Sequence, residues 1–369
     1  MSSLLKDRYN PAFYEMLLSA VMDILPDFNK QSFLKAIFNQ EFEQLELKGR
    51  MKHTSKVFHE HLPFDFPLCA KYWIQIAQVL IKQKKQSYGL ELMFIPDYIE
   101  TYGINYLKES TEAFEKITEL CSCEFAVRPF IIRYEKPMLK ILMDWSKHKN
   151  HHVRRLASEG SRPRLPWAIA LNHFKQDPSP LLPILHQLKN DSSEYVRKSV
   201  ANHLNDISKD HPDRLYEVIK NWKGKSRETD AILKHASRTL LKKGDPTILQ
   251  FFSYHDHPDL ECSGFIIENK RVKIGEYLQF AFVLKNLGNK PVTARLEYGI
   301  HYLRSNGTHS KKVFKISERE LKPQEILPVK RAQSFRVITT KTFYTGTQQL
   351  SIIINGKEKF IGSFELYTQ

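Results

Sequence analysis

Several residue types and motifs are scarce or absent in this chain, and each absence argues against a class of protein. Four cysteines in 369 residues are too few for a disulfide framework, and they lack the paired CxxC spacing of a zinc site. No apolar run reaches the ~18 residues of a membrane span. There is no glycine-rich phosphate loop, HExxH, GxSxG or deaminase signature. We therefore expect no metal, no cofactor and no membrane partner.

Acidic residues are also in short supply. The chain has 56 Lys and Arg against 41 Asp and Glu, a formal net charge of +15. Residues 145–243 hold 20 Lys and Arg against 10 Asp and Glu, so much of the excess lies in one segment. Clustered positive charge is typical of nucleic-acid binding. An anionic membrane surface and an acidic protein are the alternatives.

The N-terminal segment and the cysteine content together predict a compartment. The first ten residues, MSSLLKDRYN, carry charges at Lys6, Asp7 and Arg8 and have no apolar core, unlike a signal peptide. Isolated cysteines are typical of reducing compartments, and Cys121 and Cys123 are expected to be buried thiols in a helix. We therefore expect a cytoplasmic protein.

Residues 1–255 are predicted to be helical, because apolar residues recur at spacings of three and four. Similar segments begin at Val153, Val196 and Ile232, which are 43 and 36 residues apart, as in degenerate HEAT-type repeats. The predicted architecture is an all-α helical-repeat solenoid with a basic trough. Five predicted helices are Phe13–Ile24, Lys30–Phe38, Leu68–Lys82, Lys136–Lys147 and Leu215–Trp222.

The composition changes near Cys262 to alternating and β-branched runs separated by turn residues. About seven short strands over 262–369 predict an all-β immunoglobulin-like sandwich. The linker is expected at 254–259, which is rich in histidine. The predicted strands include Gln279–Leu284, Thr293–Tyr302, Ser334–Ile338 and Gln349–Ile354.

One segment suggests chemistry. Between Trp145 and Trp167, Glu159 is the only carboxylate among six basic residues. Hydrolysis of an N-glycosidic bond passes through a cationic sugar, which a carboxylate stabilises and an aromatic wall can flank. Glu124 and Asp206 are further candidates.

Structural roles are the alternatives for the same side chains. Glu159 could pair with Arg155 or Arg162. Glu124 could pair with Arg128, and Asp206 could pair with Arg197 or cap a turn. Taken singly, each of Trp145, Trp167 and Trp222 is more typical of a core.

At these residues the sequence resembles the AlkC-type DNA alkylation-repair glycosylases, which belong with AlkD to a HEAT-like-repeat group. The resemblance covers residues 1–255 and is most specific in two long stretches, Arg154–Trp167 and Val196–Lys209. It continues through 48–63, 94–103 and 124–130, and the immunoglobulin-like tail fits one branch of the family.

The resemblance implies a monofunctional glycosylase that excises cationic bases such as 3-methyladenine and 3-methylcytosine from duplex DNA, without full base flipping. Glu159 would be the leading catalytic carboxylate, Glu124 and Asp206 would complete an acidic pocket, and Trp167 would contact the lesion. The protein would be a monomer that associates with the nucleoid through DNA. From charge and position, the residues expected to contact the DNA backbone are Lys147, Lys149, Arg154, Arg155, Arg162, Arg164, Arg197, Lys198, Lys234 and Arg238.

Two rival functions remain at this point. One is a non-catalytic scaffold for damaged or bent DNA, and the other is a solenoid that binds an acidic protein. The tail could clamp DNA through its basic residues, or it could serve as a protein-interaction or stabilising module. Its basic residues include Lys311, Lys312, Lys330, Arg331, Arg336 and Lys341.

Overall fold

The computed structural model describes residues 4–83, 89–338 and 341–368. Its contacts divide the chain into two compact units. The first unit comprises Met1–Asp210 with Lys223–His235, and the second comprises His211–Trp222 with Ala236–Gln369. The predicted domain limits, 1–255 and 262–369, stay a prediction.

The described part of the chain is helical as far as Phe251 and forms strands from Leu260. No helix in it is both long enough and apolar enough to cross a membrane. Short 3-10 helices lie at Leu5–Arg8, Phe42–Gln44, Glu91–Met93 and Ser179–Leu181. The α-helices are α1 (Pro11–Met22), α2 (Lys30–Ile37), α3 (Leu47–His61), α4 (Phe66–Lys82), α5 (Phe94–Gly103), α6 (Leu107–Ile117), α7 (Val127–Arg133), α8 (Glu135–Trp145), α9 (His151–Gly160), α10 (Asn172–Gln176), α11 (Leu182–Leu188), α12 (Glu194–Ile207), α13 (Pro212–Trp222), α14 (Arg227–Ala236), α15 (Arg238–Lys243) and α16 (Pro246–Phe251).

Local sequence signals explain where several helices begin. The Asn10 side chain accepts a hydrogen bond from the N–H of Phe13 at 3.0 Å, and Pro11 takes the first position of α1, where no N–H is needed. Asp245 and Pro246 start α16 in the same way. All five helices predicted from apolar spacing are confirmed within three residues at each end.

The three similar segments fall on α9, α12 and α14. Helix α9 packs against α8, α11 and α12, and α11 also packs against α8 and α12. Val153 and Leu156 of α9 and Val196 and Val200 of α12 are fully buried. The apolar stripe of one helix is thus covered by its neighbours, which is how helical repeats build a continuous core. The predicted helical-repeat architecture is confirmed.

The strands of the second unit form two sheets around one apolar core. The three-stranded sheet has the order β1-β3-β6, and the five-stranded sheet has the order β2-β8-β7-β4-β5. All pairings are antiparallel except that of β2 with β8. The predicted sandwich is confirmed. Its strands are β1 (Leu260–Ile267), β2 (Arg271–Lys273), β3 (Tyr277–Asn286), β4 (Val292–Leu303), β5 (His309–Leu321), β6 (Ile326–Ser334), β7 (Gly346–Ile354) and β8 (Lys357–Tyr367).

Two local predictions were wrong. The predicted strand Ser334–Ile338 falls just after β6, since β6 ends at Ser334. Residues 335–337 form no ladder, and the apolar character of this stretch reflects Phe335, which is fully buried in the sandwich core. Cys121 and Cys123 lie in a loop between α6 and α7 and not in a helix, although both are buried as expected.

The segment predicted as a linker is packed onto the sandwich. Tyr254 is 2% exposed, and its hydroxyl donates a hydrogen bond to the carboxylate of Glu318 on β5. The Asp256 carboxylate pairs with Lys357 and Lys359 of β8 at 2.9 and 2.8 Å. These contacts tie the residues between α16 and β1 to the second unit.

Candidate active site

Helix α9 brings an arginine and a glutamate to one face. The Asn150 side chain accepts a hydrogen bond from the N–H of His152 at 2.9 Å, which caps the start of the helix. Arg155 and Glu159 are four residues apart and therefore neighbours on the helix surface. Nη2 of Arg155 lies 3.7 Å from Oε1 of Glu159, and Glu159 is only 5% exposed.

The Glu159 carboxylate also receives two closer donors. Nη1 of Arg162 lies 2.5 Å from Oε1, and Oγ of Ser199 on α12 donates to Oε2 at 2.6 Å. A carboxylate so close to the C-terminal end of a helix is disfavoured by the helix dipole, and these donors offset that cost. Glu159 thus pairs with both arginines offered as alternatives, Arg155 and Arg162.

Glu124 lies in the loop before α7 and shares Arg155 with Glu159. Its Oε2 accepts hydrogen bonds from Nη1 of Arg155 and from Oγ of Ser122, the latter at 2.6 Å. Arg155 therefore lies between two carboxylates from different parts of the chain. The structural alternative was a salt bridge with a nearby arginine such as Arg128, and the arginine that pairs with Glu124 is Arg155 instead.

Asp206 on α12 completes this network through Arg162. Nε and Nη2 of Arg162 lie 2.8 and 2.7 Å from Oδ2 of Asp206, and Nζ of Lys209 lies 2.9 Å from Oδ1. The suggested pair with Arg197 was wrong. Arg162 bridges Asp206 and Glu159, so the three predicted carboxylates are linked by two arginines.

Arg128 shapes the adjoining loop. It is fully buried and donates to three backbone carbonyls, those of Ile169 at 2.7 Å, Gly160 at 2.9 Å and Arg162 at 2.8 Å. Burial, together with the nearby charge of Arg162, lowers the pKa of Arg128 to about 10. The guanidinium holds the loop that follows α9 in place.

Trp167 lies on that loop and is 77% exposed. Its φ is +67°, a left-handed conformation that a bulky residue adopts only at a cost. Nζ of Lys48 donates to its carbonyl at 3.3 Å. Trp145 and Trp222 are each 4% exposed and are core residues, as the structural alternative proposed, whereas Trp167 is not.

Two of the predicted carboxylates and this tryptophan line a single cleft of about 680 Å³. We call it the acidic cleft. Asp206 does not line it and is 1% exposed, so the contacts of Asp206 are with Arg162 and Lys209. The lining of the acidic cleft includes Arg8, Leu90, Met93, Ser122, Glu124, Phe125, Glu159, Arg162, Leu165, Pro166 and Trp167.

The residues expected to bind phosphates fall into groups. Lys147, Lys149 and Lys198 are exposed, while Lys234 and Arg238 are half-buried. The other five, all arginines, make the following contacts within the protein. Arg155 and Arg162 hold the acids, Arg154 and Arg164 make bidentate pairs with Asp191 and Asp210, and Arg197 donates to the carbonyls of Asp191 and Ser192.

A groove of about 510 Å³ lies between α12 and α14. Its basic members are Arg197, Lys198 and Arg227, and its acidic members are Glu194 and Glu228. Two of these residues, Arg197 and Lys198, were expected to contact a phosphate backbone. Part of the predicted DNA-binding surface therefore lies in this groove of the first unit.

Several residues of the site were missed by the sequence reasoning. Ser122 and Ser199 hydrogen-bond the carboxylates, and the Tyr195 ring lies 4.9 Å from Cζ of Arg155. Ser199 lies within the stretch 196–209 that carried the family resemblance, so the resemblance could have indicated Ser199 as a residue of the site. Tyr195 and Ser122 lie outside the quoted stretches, and only folding brings them to Arg155.

No metal-binding group of three or more His, Cys, Asp or Glu side chains occurs in the part of the chain that the structure describes. Arginine and lysine side chains pair with the carboxylates, and their positive charges would repel a metal ion. The chemistry that this arrangement can provide is stabilisation of positive charge by carboxylates in a partly dry cleft.

Helical repeats followed by an immunoglobulin-like sandwich place the chain in a class, the DNA alkylation repair proteins. Residues 108–240 match the family described as "DNA alkylation repair enzyme". Residues 261–368 match the family described as "Uncharacterised protein YhaZ, C-terminal Ig-like domain".

Two relatives match nearly the whole chain. YhaZ of Bacillus subtilis is 42% identical over 355 residues, which cover 96% of this chain and 97% of YhaZ. The solved structure of the Pseudomonas fluorescens alkylpurine DNA glycosylase AlkC, bound to DNA containing an abasic site analog, is 33% identical. The match covers 99% of this chain and 100% of the AlkC chain, with a TM-score of 0.92. The chain belongs to the AlkC-type family of DNA alkylation-repair glycosylases, in the branch with a C-terminal immunoglobulin-like domain.

Proposed function

We propose that this protein is a monofunctional DNA glycosylase that removes cationic N-alkylated bases, of the 3-methyladenine and 3-methylcytosine type, from duplex DNA. The observation that carries the proposal is the acidic cleft, where Glu124 and Glu159 approach the same space from different elements beside an exposed Trp167. Membership of the AlkC-type family supports the same activity.

Duplex DNA is the proposed partner because positive charge is concentrated around the site. The net charge of +15 and the exposed side chains of Lys147, Lys149 and Lys198 would attract the phosphate backbone. Arg154, Arg164 and Arg197, although engaged, keep part of their surface exposed and could also approach phosphates. Lys234 and Arg238 complete the proposed set. We propose that the protein acts as a monomer.

The proposed reaction breaks the bond between C1′ of the sugar and the base nitrogen. The bonding electrons leave with the base, which departs uncharged because it was cationic, so no strong general acid is needed. Water adds to C1′ and gives up a proton to solvent or to a carboxylate. Positive charge on the sugar is greatest in the transition state, and a carboxylate fixed beforehand stabilises it without reorganisation.

The roles follow from the contacts. Glu159 is proposed as the principal catalytic carboxylate, and Glu124, which shares Arg155 with it, as the second. Asp206 would act through Arg162, keeping that guanidinium aligned with Glu159. The exposed ring of Trp167 would lie against the lesion.

Two finer features belong to the same proposal. Among the described residues that line the acidic cleft there is no lysine, so a Schiff base with the sugar is not expected, and the product would be an uncut abasic strand. The two carboxylates would reach the sugar while the base stays near the stack, without full base flipping.

The deciding experiment is time-resolved release of free base from methylated duplex DNA. Glu159→Gln keeps the shape of the side chain and removes its charge. We expect release to fall by about 10²- to 10³-fold, since that is the usual effect of removing one charge-stabilising group. The matched control is Glu112→Gln, because Glu112 is exposed on α6. It should release base like the wild type.

Binding measured in parallel separates the proposal from a non-catalytic scaffold. The Glu159→Gln variant should retain DNA affinity, and that affinity should fall steeply with salt as counterions are released. If the wild type binds DNA tightly and releases no base, the scaffold function is correct and the proposed chemistry is wrong.

A further inference from the structure

A second cavity adjoins the acidic cleft. It has a volume of about 270 Å³, and we call it the side cavity. Leu90, Met93, Ser122, Phe125 and Trp167 line both spaces. Since Ser122 donates to the Glu124 carboxylate, the side cavity begins where the proposed chemistry takes place.

Two helices of the first unit place charged residues around the side cavity. Lys48 and Lys52 are four residues apart on α3, and Asp97 and Glu100 are three apart on α5. Each pair therefore lies on one face of its helix. The Asp97 carboxylate accepts a hydrogen bond from Oγ of Ser55 at 2.7 Å.

Glu100 differs from its neighbour because its carboxyl group accepts no hydrogen bond from another described residue. Burial raises the pKa of Glu100 to about 7, and the charge of Asp97 contributes to this rise. At neutral pH a large fraction of Glu100 is therefore protonated. A protonated carboxyl offers one donor beside one acceptor.

A second polar group without a hydrogen-bond partner among the described residues lies at the side cavity. Tyr9 lines the cavity and is 1% exposed, and its hydroxyl has no hydrogen-bond partner within the described part of the chain. Asp97 is among the charges that raise the pKa of the Tyr9 hydroxyl, after burial and after three other groups. A buried hydroxyl without a partner is costly, and a ligand atom would satisfy it.

The remaining walls are mostly apolar and include Leu47, Met51, Pro96 and Ile169. A volume of 270 Å³ lies just below the ~300 Å³ at which pockets begin to take drug-sized ligands. The occupant should therefore be small and flat, with apolar faces and a polar edge. A purine meets each requirement, since adenine carries a donor and an acceptor side by side on one edge.

We infer that the side cavity binds a purine base, with Glu100 and Tyr9 hydrogen-bonding its edge and Phe125 and Met93 covering its faces. This inference rests on the proposed function, because base release in the acidic cleft supplies such a molecule next to the cavity. Two sources of the ligand are distinguished below. One is the free base after excision, and the other is a base still attached to DNA.

The test for the free base is calorimetric titration of 3-methyladenine into the full-length protein without DNA. We expect saturable binding that weakens about tenfold in Glu100→Met, which removes the donor and the acceptor of the carboxyl group, and again in Tyr9→Phe, the usual effect of losing one hydrogen bond. Tyr9→Phe deletes a hydroxyl that has no protein partner, so folding should be retained. The matched controls are Glu112→Met and Tyr106→Phe, because both residues are exposed outside the side cavity.

The second source is tested with 2-aminopurine placed at the lesion position of a duplex. A rise in its fluorescence on binding, lost in Tyr9→Phe, would assign the cavity to a base still on DNA. The inference is overturned if neither ligand form binds, or if both variants bind like the controls. Release of base from methylated DNA by the wild type is measured separately, so failure of the proposed function remains distinguishable from failure of this inference.

Discussion

Two pairs of carboxylates in the first unit differ in the number of hydrogen-bond donors that surround them. Glu124 and Glu159 in the acidic cleft accept hydrogen bonds from arginine and serine side chains. Asp97 and Glu100 in the side cavity receive one serine hydroxyl between them, and burial raises the pKa of both. The first pair of carboxylates thus lies among arginine and serine donors, and the second pair is buried with few donors.

This difference shows that one fold can provide carboxyl groups for two tasks, stabilising a positive charge and donating a hydrogen bond. Guanidinium and hydroxyl donors favour the anion, which can stabilise a developing cation. Burial with few donors favours the protonated carboxyl, which can donate a hydrogen bond. Asp97 and Glu100 lie on one helix, whereas Glu124 and Glu159 come from different elements. The elements packed around each carboxylate, and not its local sequence, therefore decide how many donors it receives.

The largest expected effect is on stability and concerns Arg128. This residue holds the loop whose Trp167 lines both the acidic cleft and the side cavity. Arg128→Met would leave two buried carbonyls and one partly buried carbonyl without this donor, and we expect the free energy of unfolding to fall by about 3 to 5 kcal/mol. Urea unfolding of the full chain measures this loss. Arg133→Met on the same helix is the control, because Arg133 is exposed, and it should cost less than about 0.5 kcal/mol. Equal losses in the two variants would contradict the role given to Arg128.

The next largest effect concerns the acidic cleft. Arg162→Met would leave Glu159 and Asp206 buried without their shared cation, at a cost of about 3 kcal/mol in unfolding free energy. Adding Asp206→Asn should recover part of that loss, because one of the two uncompensated charges is removed. A double-mutant cycle by urea unfolding measures the coupling, and simple additivity would mean that Arg162 does not link the two acids.

The third effect concerns the side cavity and depends on pH. Because the pKa of Glu100 is raised from 4.5 to about 7, the folded protein binds this proton more tightly than the unfolded chain. Its contribution to stability is full below about pH 4.5 and is lost as pH rises through about 7. Glu100→Gln does not titrate, so its stability relative to the wild type should rise by about 1 to 2 kcal/mol between pH 5 and pH 8.

Unfolding curves in urea at both pH values measure this change, with Glu112→Gln as the control. A constant difference between Glu100→Gln and the wild type would show that Glu100 is ionised throughout, like an ordinary surface carboxylate. The contrast between the two carboxylate pairs would then be lost.

The smallest effect concerns Trp167, which borders both spaces. Its ring contributes little to stability because it is exposed, but its positive φ is costly for any residue with a Cβ. Trp167→Gly should therefore be more stable than Trp167→Ala by about 1 kcal/mol, as judged by thermal or urea unfolding. Both variants should lose base release similarly, since both lack the ring. Equal stability of the two would argue against backbone strain at this loop.

Much of the fold could be predicted because its signals are local. Apolar spacing located the helices, and the change to β-branched runs located the sandwich. The strand prediction at Ser334–Ile338 failed because Lys330 and Arg331 interrupt the apolar pattern of β6, whereas Phe335 after it fills the core without pairing. Hydrophobicity alone does not distinguish a paired strand from a buried loop.

The site was predicted less completely. Motifs indicated Glu124, Glu159 and Trp167, and the structure brings all three to one cleft. The assigned partners of Glu124 and Asp206 were wrong, because ion pairs were sought among residues near in sequence, while Arg155 and Arg162, which hold these acids, lie 31 and 44 residues away. Asp97 and Glu100 lay within a recognised stretch, but nothing local indicated their burial.

The sequence by itself determined the helical repeats, the sandwich, the basic charge and the three carboxylates of interest. These follow from periodicity, composition and motif, which need no knowledge of distant contacts. Only the tertiary structure decided which arginine holds which acid, that Asp206 lies behind Arg162, and that a second cavity opens beside the first. Hydrogen bonding and desolvation depend on what surrounds a side chain in space, and helix packing brings those surroundings from segments far apart in the chain.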